Sequence, residues 1–539
     1  MKRFDSDLIK NSANFTPLNP VTFLKKAAYI FPKRKSIIYN YRSYNWEETY
    51  SRCKRFASAL HISGYKKGDI IGFLAMNTPE LYEAHYSVPM AGMILNAMNY
   101  RLDYKTLAYI IDHSELKLLF ADLEFLETAK KAVSSSQKKP EIIIIEDETA
   151  GFNNTSEYLD YEVFLSKGNI NFEEISIEDE WDTIAINYTS GTTGNPKGVL
   201  THYRGSYLNA LGNIIEWNME SHPIYLWTLP MFHCNGWCFP WTIAAKAGTN
   251  ICLRKVSSET IFSAISKHNV NYLCGAPIVL GMIIDSSIRE KIKLDYICKV
   301  MTAAAPPPAA VLQSMQEIGF EVTHVYGLTE VYGPCVVCAW DPEWDNLSKE
   351  KQADIKSRQG VAYIVQEGIR VVNQNDFSDV PRDGKTIGEV LLRGNITMKG
   401  YLKNLEATQE AFSGGWFHTG DLGVMYENGY VQLKDRLKDI IISGGENISS
   451  IEIENCIYDL DAVLACGVVA MQDDKWGEVP CVFIELKPES NLSKEKIIEH
   501  CRSKLASFKI PKEVVFCSIP KTSTGKVQKF ELRKLASHQ

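Results

Sequence analysis

The chain has 539 residues, 45% of them hydrophobic and 23% charged, with a formal net charge of −7. That is globular composition with material for more than one core, and the acidic balance argues against a protein that coats nucleic acid, which needs net positive charge. Met1 to Pro20 holds no apolar core of the kind a signal peptide carries, and no run of about 18 uncharged apolar residues occurs, so no membrane span is expected.

Apolar β-branched runs alternate with helix-period segments, which predicts an α/β architecture. Asn45 with Glu48 makes a capping-box start, and Cys53, Phe56, Ala57 and Leu60 then recur at i, i+3, i+4 and i+7, one face of a helix. Gly68-Asp69 leads into a buried strand over 70–74, and the polar stretch 134–140 is expected to be a loop before another strand over 141–146. Thirteen scattered cysteines suit a reducing cytosol. The one CxxC, Cys335 to Cys338, sits in an apolar run and reads as buried strand cysteines, not as a zinc or redox pair. Residues 430–436 read as a strand ending in charge, followed by Leu437-Lys438-Asp439. Strands over 462–471 and 479–486 and a helix over 493–505 come next. The expectation is a large N-terminal domain, 1–436, and a small C-terminal α/β domain, 437–539, joined by a charged hinge. Ser537, His538 and Gln539 do not make the Ser-Lys-Leu peroxisomal address, and a cytoplasmic location is expected.

Four polar motifs carry chemistry. The first is Tyr188-Thr-Ser-Gly-Thr-Thr-Gly-Asn-Pro-Lys-Gly198, after the apolar run Thr183-Ile-Ala-Ile. Its glycines, Gly191 and Gly194, let backbone amides approach phosphate oxygens. Thr189, Ser190, Thr192 and Thr193 offer hydroxyls, and Lys197 offers charge. It is not a Walker loop, because the fifth residue after Gly191 is Pro196. The second is His324-Val-Tyr-Gly-Leu-Thr-Glu330, in which Thr329 suits a phosphate and Glu330 a hard cation. The third is Gly415-Trp-Phe-His-Thr-Gly-Asp421 with Asp435-Arg436 beyond it. Asp421 can accept from two ribose hydroxyls, and Arg436 can meet phosphate or ribose. The fourth, Pro520-Lys-Thr-Ser-Thr-Gly-Lys526, presents Lys526 on a turn. The last three are modest alone: a Thr-Glu pair is usually a helix start, an Asp after Gly a turn residue, and a loop lysine is usually just solvated.

In this order and spacing the motifs resemble the acyl-adenylate-forming superfamily, which contains acyl-CoA synthetases, firefly luciferase-like enzymes and the adenylation domains of peptide synthetases. The resemblance covers nearly the whole chain. Pro230-Met-Phe-His-Cys-Asn-Gly-Trp237 and Tyr326-Gly-Leu-Thr-Glu-Val-Tyr-Gly-Pro334 look most like short- and medium-chain acyl-CoA synthetases, including plant acyl-activating and methylmercaptopropionate-CoA ligase-like enzymes. The resemblance implies a large N-terminal domain of adenylate-forming type and a small mobile C-terminal one. It implies an AMP-forming carboxylic acid–CoA ligase using ATP, Mg²⁺ and coenzyme A on a small carboxylic acid, with homodimerisation left open.

Residue by residue, the resemblance implies that Thr189 to Lys197 hold the β- and γ-phosphates. Ala303-Ala304-Ala305-Pro306 and His324 to Tyr326, with Gly327, would frame adenine. Thr329 would touch the α-phosphate, and Glu330 with Thr189 would hold Mg²⁺. Asp421 and Arg436 would bind the ribose side, and His233 would sit by the carboxylate. Trp237 is expected to wall the acyl pocket. Lys438 occupies the hinge position and Lys526 that of the mobile catalytic lysine, while Ser443-Gly444-Gly445 would border the coenzyme A passage. One departure is Ala303, where related enzymes often carry glycine; the added methyl group leaves the apolar wall intact. Two alternatives stand beside this reading: a free-standing adenylation enzyme that loads a carrier protein, and a non-catalytic nucleotide-binding regulator.

Overall fold

The computed structural model describes residues 8–152, 157–189, 195–284, 294–303, 309–443, 446–473, 475–521 and 527–537. The capping box forms as expected: Glu48 N–H donates to Asn45 Oδ1 and Asn45 N–H to Glu48 Oε2, both at 2.8 Å. The helix that follows, Trp46–Ile62, buries Cys53, Phe56, Ala57 and Leu60. The strands Ile70–Leu74 and Glu141–Ile145 also form. The loop expected over 134–140 starts later, because the helix Leu126–Ser135 takes in Ser134 and Ser135. Ser134 stays helical by turning its hydroxyl onto the Lys131 carbonyl at 3.0 Å.

Two large sheets build the N-terminal part. In one, Glu141–Ile145, Leu118–Asp122, Ile70–Leu74, Ile94–Ala97 and Thr183–Tyr188 run parallel, and Gly198–His202 and then Gly400–Tyr401 extend the edge antiparallel. In the other, Phe320–Leu328, Cys298–Thr302, Tyr272–Cys274, Ile224–Trp227, Thr249–Cys252 and Lys35–Tyr39 run parallel, with antiparallel strands on both edges. Parallel strands are buried on both faces, which explains their continuous apolar runs. The largest core cluster joins Phe73, Leu95 and Phe120 of the first sheet with Tyr225, Trp227 and Met301 of the second. Cys335 lies in the strand Gly333–Val337, and it and Cys338 just beyond are both buried.

An antiparallel sheet of Gln366–Val372, Gly388–Gly394, Phe417–Met425 and Val431–Arg436 follows and sets Asp421 opposite Arg436. The small C-terminal domain is built on the hairpin Val463–Asp473 and Gly477–Leu486. Period-two alternation gives this hairpin two apolar faces. Cys466, Val468, Val482 and Ile484 pack on the helices Ser450–Tyr458 and Lys494–Lys504, while Ala465, Val469, Cys481 and Phe483 pack on Lys529–Ala536. Among the described residues no helix is long and apolar enough to cross a membrane.

Candidate active site

Candidate residues leave the carboxyl ends of four parallel strands: Thr189, the segment 228–238, Ala303, and Thr329 with Glu330. Ligands of open α/β sheets bind at those ends. Thr189 N–H donates to the Lys197 carbonyl at 3.0 Å, continuing the pairing of Thr183–Tyr188 with Gly198–His202. Lys197 Nζ lies 4.6 Å from the centre of the Tyr401 ring, and the Tyr401 hydroxyl donates to Glu330 Oε1 at 2.9 Å. Burial pushes the Glu330 carboxyl above its ordinary pKa, against the stabilising Tyr401 bond and Arg436.

The strand Phe320–Leu328 carries the next group. His324 is buried, with Nδ1 3.1 Å from the Arg358 carbonyl, and burial lowers its pKa to about 4, so the ring is neutral. The Tyr326 hydroxyl donates to Asp421 Oδ2 at 2.6 Å, and Arg436 Nε lies 3.2 Å from Asp421 Oδ1. Asp421 in turn raises the Arg436 pKa. Gly327 has to be glycine, because a Cβ there would come within 1.6 Å of the Gly333 carbonyl oxygen. Ala303 lies partly buried against the largest core cluster.

Thr329, just after this strand, connects it to the segment with His233. Cys234 Sγ is 3.5 Å from Thr329 Oγ1 and 4.0 Å from His233 Nε2. From Cys234 to Cys238 the backbone makes a left-handed turn, with φ of 43°, 41°, 57°, 55° and 64° in succession. That conformation costs about 1–2 kcal/mol per non-glycine residue, so neighbouring groups must hold it. Three buried asparagines do so, and a fourth, Asn77, fixes the segment leading into it. Asn213 Nδ2 donates to the Trp237 carbonyl at 2.9 Å, and Asn209 Nδ2 to Cys238 Sγ at 3.7 Å. Asn187 Oδ1 accepts from Asn235 N–H at 3.1 Å, and Asn77 bonds Trp227, Leu229 and Met231 upstream. Trp237 is buried in the largest core cluster against Gly333, where φ is +114° and a Cβ would lie 3.0 Å from the indole Cδ1. None of these asparagines was legible as functional, because nothing local marks an Asn that serves a distant carbonyl.

The hinge candidate Lys438 follows the strand Val431–Arg436, and its carbonyl accepts from Arg533 Nη2 at 3.0 Å. Burial lowers its ammonium pKa. Ser443 is buried at the end of the strand Ile441–Ser443. Ser190 to Gly194, Ala304 to Pro306, Gly444, Gly445 and Lys526 lie outside the described residues. Among the described residues no group of three or more His, Cys, Asp or Glu is arranged to hold a metal ion. Glu330 offers one carboxylate, a donor that fits a Mg²⁺ keeping phosphate and water oxygens around it.

A family model described as AMP-binding enzyme matches residues 24–402, and its C-terminal-domain counterpart matches residues 452–526. The chain belongs to the AMP-binding enzyme family. An acetate–CoA ligase of Humulus lupulus is 48% identical to this AMP-binding enzyme over 548 aligned residues, covering 98% of this chain and 96% of the relative. A peroxisomal acetate/butyrate–CoA ligase of Arabidopsis thaliana is 47% identical, with the same coverage. Among solved structures, the o-succinylbenzoate–CoA synthetase of Bacillus subtilis with its acyl-adenylate intermediate superposes with a TM-score of 0.81. It is 25% identical and covers 96% of this chain and 98% of its own. The protein is an acyl-activating enzyme of the acyl-CoA synthetase branch, with the adenylate-forming fold of a large N-terminal and a small C-terminal domain.

Proposed function

We propose that this AMP-forming carboxylic acid–CoA ligase acts on a short- or medium-chain fatty or related small acid, with Mg²⁺ and the site residues in the roles expected from the sequence. The observation that carries the site reading is that Lys197, Tyr401 and Glu330 form one cluster and Tyr326, Asp421 and Arg436 another, drawn from segments far apart in sequence, with Arg436 and Asp421 near enough to act on the Glu330 carboxyl. The relatives' names, acetate and acetate/butyrate–CoA ligase, support the choice of acid.

A free carboxylate does not acylate a thiol, because oxide would have to leave. In the first half-reaction a carboxylate oxygen forms a bond to the α-phosphorus of ATP, and the bond from that phosphorus to pyrophosphate breaks. In the second, the thiolate of coenzyme A forms the thioester bond and AMP leaves. Catalysis is then mostly positioning of anions and stabilisation of developing charge. Lys197 and the loop from Thr189 hold the β- and γ-phosphates, Thr329 meets the α-phosphate, and Asp421 and Arg436 hold the ribose. Glu330 with Thr189 would hold Mg²⁺, which supplies neutralising charge when bound. His233 stands by the carboxylate and Trp237 walls the acyl side, while Ser443 to Gly445 border the thiol passage. Domains 1–436 and 437–539 rotate about Lys438 between the two half-reactions.

Phosphorus NMR of turnover with a panel of small acids tests the reaction. AMP and pyrophosphate should appear in step with thioester, and ADP in their place would overturn the mechanism. In the same panel Trp237→Ala should shift kcat/KM toward bulkier or longer acids, because removing a buried ring opens space. Unchanged ratios in a folded variant would remove Trp237 from the pocket wall. A cytoplasmic location belongs to the same reading, whereas the Arabidopsis relative is named peroxisomal; imaging of N-terminally tagged chain decides between the two.

A further inference from the structure

Lys197 and Glu330, read above as groups for the same triphosphate, carry opposite charges, and such groups tend to pair with each other. A charge-assisted pair between the exposed Lys197 and the partly buried Glu330 would have to be broken before either group could meet its ligand. Among the described residues no salt bridge joins them; Tyr401 stands between, its ring 4.6 Å from Lys197 Nζ and its hydroxyl 2.9 Å from Glu330 Oε1. We propose that Tyr401 is a positioning residue that acts as a spacer, keeping the Lys197 ammonium and the Glu330 carboxylate from pairing with each other. The inference rests on the reading of Lys197 and Glu330 as nucleotide-binding groups.

The backbone around Tyr401 is suited to this. Gly400 and Tyr401 pair with Leu200 and Val199, on the strand that Lys197 enters. Lys399 N–H donates to the Leu200 carbonyl at 2.8 Å, and Leu402 N–H to the Gly198 carbonyl at 2.7 Å. On the other side Met398 N–H donates to the Glu330 carbonyl at 2.7 Å. Tyr401 N–H is itself held by Thr408 Oγ1 at 2.9 Å. One short segment is thus bonded to both chains whose side chains it separates. The chemistry of tyrosine fits as well. An aromatic face attracts an ammonium without neutralising it, and a phenol donates to a carboxylate without giving it a counter-ion. Both contacts yield readily to phosphate oxygens and a cation.

The test compares Tyr401→Phe with Tyr401→Ala by calorimetric titration with ATP, with and without Mg²⁺, alongside KM for ATP and for acid. Tyr401→Ala should weaken MgATP binding about tenfold and raise KM for ATP alone, whereas Tyr401→Phe, which keeps the ring, should lose no more than about threefold. Equal losses in the two variants, or binding by Tyr401→Ala within about twofold of the parent, overturn the spacer role. The decisive readout is a double-mutant cycle between Lys197→Met and Glu330→Gln in metal-free ATP binding. The two should be additive in the parent and non-additive in Tyr401→Ala, where the freed charges meet; additivity in both backgrounds overturns the proposal. If Lys197→Met leaves ATP binding of the parent unchanged, the assignment of Lys197 fails, which is a different result from a silent Tyr401.

Discussion

Asp421 is oriented from two sides, by the Tyr326 hydroxyl on one carboxylate oxygen and Arg436 on the other. A ribose diol would therefore meet a preset acceptor, which lowers the ordering cost of binding. At the same scale, Lys526 should serve adenylation and be nearly dispensable for thioester formation. Its ammonium would bridge the acid carboxylate and the α-phosphate, and the loss of one such positioned donor typically costs about 10²–10³ in rate. Lys526→Ala should fail with acid and ATP yet convert supplied acyl-AMP and coenzyme A at near parent rate, as timed by rapid quench. Equal loss in both half-reactions would make the lysine structural.

Among the elements, the helix Tyr203–Glu216 does two jobs. Its buried face carries Asn209 and Asn213, which hold the left-handed turn, and its start is capped by His202. His202 Nδ1 accepts the Gly205 N–H at 2.9 Å while Nε2 pairs with the Thr397 carbonyl at 3.0 Å. That arrangement needs a neutral ring with its proton on Nε2, and burial lowers the pKa from 6.5 to about 4. Between those values the unfolded chain binds a proton that the folded one does not, so stability falls as pH drops. The loss is about 1.4 kcal/mol per pH unit once pH is well below the unfolded pKa. His85 and His324 are also buried, with pKa values of about 4, and they add in the same direction. The urea midpoint should therefore drop from pH 7 to pH 5, and less steeply in His202→Asn, which retains a capping acceptor without a titratable ring. Parallel pH profiles for parent and variant would refute the His202 contribution.

At the scale of the whole molecule, a chain of polar contacts links the small domain to the end of the strand Val431–Arg436. Lys529 Nζ lies 2.8 Å from Glu454 Oε1 and also donates to the Ser450 hydroxyl. Ser450 donates to Asp435 Oδ2 at 2.7 Å, at the end of the large-domain sheet. Beside it Arg533 pairs with Asp439 and holds the Lys438 carbonyl. The final helix is thereby tied to Lys438 and Asp439, just beyond that strand. Lys529→Met leaves two carboxylates without their buried cation and should cost about 3–5 kcal/mol of small-domain stability. Calorimetry should show a lowered small-domain transition with the large-domain transition little changed; an unchanged thermogram would mean the contact carries no load.

Sequence by itself determined the α/β class, the capping box at Asn45, the strands of the small domain and the four motifs. These depend on residues close in the chain, where periodicity, caps and small polar loops act locally. It also marked Lys197, Glu330, Asp421 and Arg436 one by one. Tertiary structure alone decided who touches whom. Tyr401 meets Glu330 across 71 positions and Tyr326 meets Asp421 across 95, and Asn213 reaches Trp237 across 24 to hold a left-handed turn that local propensity disfavours. Such pairings follow from strand order and sheet packing, and a tyrosine or asparagine bound for a remote partner looks in sequence like any other polar residue in an apolar run.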